Sequence, residues 1–378
     1  MARMPLRMRP LCLALLAALL ALAPAAAAQQ AYLFTYFTGN GEDGLHLAWS
    51  ADGYRWEKLN DGRSYLTPTV GTSKLMRDPC VVRGPDGTFH MVWTTGWNEP
   101  TIGYASSRDL LTWTGQKAIP VMAREPTVLN SWAPEVVYDA VRAEFVIFWA
   151  STIPGRFPQT AGSSEEKYNH RIYGTTTKDF VTFTPTALFY DPGFSVIDAT
   201  FLDTGAGRRL IVKDETRYPP KKYLQIAPAS DVHGPFGALS PPFTPPGVWV
   251  EGPTAIKIGD DYVVYFDAYV EKHYGAMRSR DLVTWEDVSS RMTFPDEGTA
   301  VRMRHGTVIA VPTAIVDALK AGVPSQRLAA RFAGGASRLA ALLVAHISPI
   351  CSLLAPCDPG AALRGSSNES LIRDTRRE

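Results

Sequence analysis

The chain has 378 residues, 46% of them hydrophobic, and a formal net charge of only +1. It is long enough for one large or two ordinary domains with an ample core. The near-neutral balance gives no footprint for a nucleic-acid partner, and four cysteines without paired spacing exclude a cysteine-ligated metal centre.

Residues 1–28 read as a secretory signal. Arg3, Arg7 and Arg9 precede an apolar stretch from Leu11, and Ala25–Ala28 offer a small-residue cleavage site. The expectation is a mature protein in an exported compartment, secreted or periplasmic, with no membrane association after cleavage; an uncleaved membrane anchor is the lesser alternative, since the apolar stretch is short and holds Pro24. Short runs follow, rich in β-branched and aromatic residues and bounded by Gly, Pro and Asp. They include Tyr32–Phe37, Leu45–Trp49, Thr88–Thr95, Glu144–Ser151, Arg209–Lys213, Asp261–Asp267 and Thr307–Val311. No long pattern of period 3.6 interrupts residues 30–312.

A phrase of the form Ser/Thr-x-Asp-x-x-x-aromatic recurs at 50–56, 107–113, 177–183 and 279–285, with a degenerate copy at 230–236. Its Asp residues stand at 52, 109, 179, 231 and 281. Repetition at steps of 50 to 70 residues means a repeated supersecondary unit. Several strands per unit, joined by tight turns, predict an all-β fold, a five-bladed β-propeller over residues 29–314. Ser and Asp of the phrase suit turn backbone, and its ring suits the space between blades; these five acids are scaffold. The N-terminal strands lack an inner neighbour and the strand at Thr307–Val311 lacks a following one, so the two chain ends are expected to complete the fifth blade. Residues 315–378 leave the repeat as an extension, partly helical over 325–346 and otherwise disordered in composition. Cys80 reads as a small buried hydrophobe, and Cys351 and Cys357 as a local disulfide.

Each blade should open with the strand nearest the central axis. Those openings read Met76-Arg77-Asp78-Pro79, Trp132-Ala133-Pro134-Glu135, Val196-Ile197-Asp198-Ala199 and Val250-Glu251-Gly252-Pro253, and the fifth reads Arg304-His305-Gly306-Thr307. Four carboxylates and an imidazole are thus expected around one funnel. Any one acid beside Pro or Gly is explained as well by strand-end capping; a register-matched set points to a site. Paired carboxylates, with neither a phosphate loop nor a multi-histidine cluster, point to glycoside hydrolysis. Trp93, Trp97, Trp132 and Trp249 either stack on sugars or fill the core. Lys213, Lys221 and Lys222 form the only basic cluster and are placed in a loop.

These motifs, in this order at blade spacing, resemble glycoside hydrolase family 43, and within it the arabinofuranosidase-like branch. The similarity covers about residues 31–312 and implies a five-bladed propeller that hydrolyses arabinosyl, xylosyl or related linkages with inversion. By that resemblance Asp78 matches the general base and Glu251 the general acid. Asp198 is the third carboxylate, expected to raise the pKa of Glu251. Arg77, Trp97, Trp132 and Arg304 are candidates for sugar contact, and Glu135 either contacts sugar hydroxyls or supports the axis behind them. His305 matches a histidine near an axial ion; no cofactor is required, and the resemblance admits a structural Ca²⁺ or similar ion. The implied partner is a polysaccharide or oligosaccharide cleaved at an α-L-arabinofuranosyl linkage. The alternatives are a β-xylosidase, arabinanase or galactofuranosidase of the same family, and a non-catalytic glycan-binding propeller. A retaining fructosidase is disfavoured, since no Trp-Met-Asn-Asp-Pro-Asn-Gly signature precedes Asp78.

Overall fold

The computed structural model describes residues 30–165 and 167–323. The leader, the cysteine pair Cys351 and Cys357, and the helical pattern at 325–346 lie outside the described residues. In chain order the strands are β1 (Gln30–Tyr36), β2 (His46–Ser50) and β3 (Glu57–Lys58); β4 (Arg77–Arg83), β5 (Phe89–Thr94), β6 (Ile102–Ser107) and β7 (Lys117–Ile119); and β8 (Trp132–Asp139), β9 (Glu144–Ser151), β10 (Arg171–Thr177) and β11 (Ala187–Tyr190). They continue as β12 (Val196–Asp203), β13 (Arg208–Asp214) and β14 (Leu224–Ala229); β15 (Glu251–Ile258), β16 (Asp261–Ala268), β17 (His273–Ser279) and β18 (Glu286–Asp287); and finally β19 (Val308–Pro312). Helix α1 (Thr313–Ala321) follows.

These strands form five antiparallel sheets, the blades of a β-propeller. Four run outward in sequence order: β4 to β7, β8 to β11, β12 to β14 and β15 to β18. The fifth has the order β19-β1-β2-β3, so the last strand supplies the inner edge of the first blade. This closure, expected from the strand arithmetic, gives β1 its inner partner; the ring of blades leaves only short, protected sheet edges. Gly306 sits where the ends meet, because a Cβ there would lie 1.6 Å from the Thr35 carbonyl oxygen. The sheet β12-β13-β14 has three strands; a single bridge, Ala229 to Phe236, stands for the fourth, which explains the degenerate copy of the phrase there.

The repeated phrase is a turn device. Asp109 accepts the backbone N–H groups of Leu111 and Thr112, and Asp179 and Asp281 do the same two and three residues ahead. The aromatic that ends it packs inside, as where Trp56 meets Phe34 edge-on at 5.1 Å. Each interface between blades holds its own buried apolar cluster. Helix α1 sets Ile315, Val316 and Leu319 against Leu33 and Leu47 of the closing blade, so the first residues of the presumed extension pack on the propeller. Cys80 is buried and free, as expected.

Candidate active site

The inner strands of four blades share one irregularity. A bulge interrupts β4 between Arg77 and Cys80, β8 between Trp132 and Glu135, β12 between Ile197 and Thr200, and β15 between Glu251 and Thr254. At each bulge one residue is left-handed: Asp78 (φ 53°), Ala133 (46°), Asp198 (52°) and Gly252 (59°). A bulge re-aims side chains, and left-handed non-glycine residues gather at functional sites. Three tiers result. The residues before the bulge, Arg77, Trp132, Ile197 and Glu251, line a pocket of about 410 Å³, and so do Asp78, Ala133 and Asp198 at it. Cys80, Glu135, Thr200 and Thr254 come two residues later and do not line it.

The tiers separate the two readings of Glu135. It belongs to the tier away from the pocket, 6% exposed, where its carboxylate accepts the Thr200 hydroxyl at 3.0 Å. Burial lifts its pKa to about 7, against the pull of His305, Thr200 and Cys80. Its place is that of the axis support. Trp93 is likewise core, fully buried.

Asp78 is held firmly. The Thr94 hydroxyl accepts the Ala133 N–H at 2.8 Å and therefore donates its own proton to Asp78 Oδ2, 2.7 Å away. His305 Nδ1 lies 3.3 Å from Asp78 Oδ1. Burial pushes the Asp78 carboxyl up, but His305, Arg77 and Thr94 outweigh it and hold the pKa at about 2. The same pairing lifts His305 to about 9, against burial. Asp78 is thus a carboxylate facing an imidazolium.

Asp198 Oδ2 accepts the Gly252 N–H at 2.9 Å. Burial drives Asp198 up to about 6, opposed by His305 and Lys213 and reinforced by Glu251 and Asp78. Glu251 behaves otherwise. Arg304 reaches its Oε1 at 2.8 Å and Lys213 its Oε2 at 3.4 Å. Burial raises Glu251, but Lys213, Arg304, Arg77 and His305 together hold it below the usual glutamate range. The expectation that Asp198 lifts Glu251 is therefore reversed: the cations win, and Asp198 is the carboxyl that is raised.

The remaining candidates fall into place around these acids. Arg77 stacks over Trp97 at 4.2 Å and Phe37 at 4.7 Å and donates to Asn40. Trp97, 44% exposed, meets Trp132 edge-on at 5.6 Å, and Tyr168 lies against Trp132 at 4.8 Å. Trp249 and Tyr269 make a second aromatic pair, 6.3 Å apart. Arg304 lines the pocket, and its guanidinium joins Glu251 (2.8 Å) to Asp267 (3.3 Å), aligning the two acids.

Sequence reasoning missed Lys213, Glu215, Glu165, Tyr168, His170 and Tyr269. Lys213 lies in β13 and is buried, not in a loop, and Lys222 is buried too. A lysine inside an apolar strand run was the available signal. His170 is a neutral imidazole packed against Trp132 and Tyr168, its pKa held down to about 3 by burial and by Lys213, Lys222 and Arg171.

Among the described residues, the His, Cys, Asp and Glu group that brings three ligand atoms within 4.8 Å is Asp139, Asp231 and His233, away from the pocket, and Arg142 already bridges its two aspartates. His305 and the axial carboxylates do not converge in this way, and His305 itself supplies the positive charge beside Asp78.

Gly252 carries two requirements. Its φ is positive, and a Cβ would lie 2.4 Å from the His305 ring. A Gly252→Ala variant is expected to unfold more easily by about 1–3 kcal/mol and to lose most activity, because His305 must leave Asp78. Denaturant titration and kcat/KM check this; wild-type values in both would contradict the packing described.

Residues 28–317 match a family model described as "Probable glycosyl hydrolase domain", of a group related to glycoside hydrolase family 43. An α-L-arabinofuranosidase of Bifidobacterium longum is 23% identical over 358 aligned positions, covering 74% of this chain and 33% of the relative. The chain thus spans about a third of that relative's length. Among solved structures, an α-L-arabinofuranosidase of Lactobacillus brevis superposes with a TM-score of 0.44 at 16% identity, over 57% of this chain and 72% of that one. An exo-β-1,3-galactanase of Phanerochaete chrysosporium gives 0.45 at 12% identity, over 59% and 52%.

Proposed function

The chain belongs to the family of probable glycosyl hydrolase domains related to glycoside hydrolase family 43, and on that premise we propose that it hydrolyses α-L-arabinofuranosyl linkages of a polysaccharide or oligosaccharide with inversion. The observation that carries the reading is the convergence of Asp78, Asp198 and Glu251 in one pocket, with Asp78 held between Thr94 and His305 and so kept a carboxylate, and with Asp198, bound to the Gly252 N–H, driven up to about 6 by burial. Asp78 takes a proton from water as the water oxygen attacks the anomeric carbon. The glycosidic C–O bond breaks, and the leaving oxygen takes the proton that Asp198 and Glu251 share, with Glu251 as donor. Two adjacent buried carboxyls titrate as a pair, so that proton belongs to both. The aromatic groups on either side suit the apolar faces of a sugar ring. The name of the Bifidobacterium relative supports arabinose, and the leader pattern supports export.

A panel of aryl α-L-arabinofuranoside, β-D-xyloside and β-D-galactofuranoside tests the choice. Turnover is expected fastest on the arabinofuranoside; a preference for another sugar reassigns the substrate. Binding without turnover of any of them would leave a glycan-binding propeller.

A further inference from the structure

Glu251 stands within a line of alternating charges that runs in from the pocket rim. Glu165 pairs with Lys222 at 2.7 Å, Lys222 with Glu215 at 2.6 Å, Glu215 with Lys213 at 2.8 Å and Lys213 with Glu251 at 3.4 Å. Beyond Glu251 the line goes on through Arg304 to Asp267. Lys213 is 1% exposed. Its strand neighbours Leu210, Ile211 and Val212 are core, and its ammonium lies 4.7 Å from the Tyr269 ring. A buried ammonium must end on carboxylates, since breaking such a pair is costly. Here it ends between two acids that both line the pocket, Glu251 and Glu215. One cation divided between two carboxylates makes each the other's competitor.

We propose that Lys213 is the positioning residue that sets when Glu251 releases its proton, and that Glu215 tunes it by competing for the same ammonium. The proposal rests on the glycosidase reading above. The other charged groups facing Glu251 are Arg77 from β4, Asp198 from β12, Asp267 from β16, and Arg304 and His305 from the segment before β19; the variants below leave all of them in place. Removing the ammonium lets the Asp198–Glu251 pair keep its proton to higher pH. Removing the Glu215 charge gives the whole ammonium to Glu251 and acts the other way. A defect of packing alone does not reverse sign between the two.

The test is the pH profile of kcat/KM on an alkyl arabinofuranoside, whose basic limb reports the proton donor of the free enzyme. Lys213→Met is expected to move that limb up by about one pH unit and Glu215→Gln to move it down, while Lys213→Arg leaves it near the wild-type position. No shift in either neutralising variant, or shifts of the same sign, overturns the proposal. If the wild-type protein cleaves no glycoside, the glycosidase reading is what fails. The Glu251 carboxyl is then titrated by carbon NMR in the same variants, with the same signs expected. Should Lys213→Met not fold, Glu215→Gln and Lys213→Arg carry the comparison, and an unmoved limb in Glu215→Gln is the overturning result.

Discussion

An Asp78→Asn variant is expected to lose hydrolysis of every glycoside, whatever the leaving group. In the proposed mechanism Asp78 takes a proton from water, and an amide cannot do so. The Thr94 hydroxyl and His305 hold it in one orientation, and its pKa of about 2 keeps it ionised at any working pH. Asn tolerates the left-handed backbone that Asp78 adopts, so the substitution leaves the bulge unstrained. General-base catalysis contributes roughly 10²- to 10⁴-fold, and kcat/KM should fall by that factor on alkyl and nitrophenyl arabinofuranosides alike, with an unchanged circular dichroism spectrum. A loss confined to poor leaving groups would make Asp78 an acid and reverse the assignment.

Glu251→Gln should show that leaving-group dependence. An alkyl leaving oxygen needs a proton as its bond breaks, and its turnover is expected to drop by roughly 10²- to 10⁴-fold. A dinitrophenyl leaving group departs without one, so its cleavage should be nearly preserved. In the wild-type enzyme the same proton predicts a basic limb near pH 6, since Asp198 is driven up to about 6 and the donor is lost as the pair ionises. Lys213 and Arg304 each lose one of their two carboxylate partners in this variant and keep Glu215 and Asp267 respectively, so rates are compared below its melting transition. Equal losses on both substrates would remove Glu251 from the donor role.

Much of the scaffold is legible because its causes are local. The Ser/Thr-x-Asp phrase forms hydrogen bonds within two or three residues, and so its period marks the blades directly. Closure also followed from sequence, because an unpaired inner strand and an unpaired last strand have one mutual solution. The acids were read less well. Counting from the left-handed position, Asp78 and Asp198 stand at the bulge, Glu251 one residue before it and Glu135 two after. Aligning Pro79, Pro134 and Pro253 in place of the acids puts Asp78, Ala133 and Gly252 together and leaves Glu135 outside the set.

By itself the amino-acid sequence determined the blade count, the closing of the ring by its ends and, through the family resemblance, three of the five carboxyls that line the pocket, Asp78, Asp198 and Glu251, but not Glu165 or Glu215. These depend on repeat spacing, strand pattern and short motifs. Only the tertiary structure decided which carboxyl keeps a proton. That balance depends on cations drawn from three other segments, Lys213 in β13, Arg304 before β19 and Arg77 in β4, whose charges meet only once the blades are closed around the axis. Burial of the same groups removes the water that would otherwise screen them.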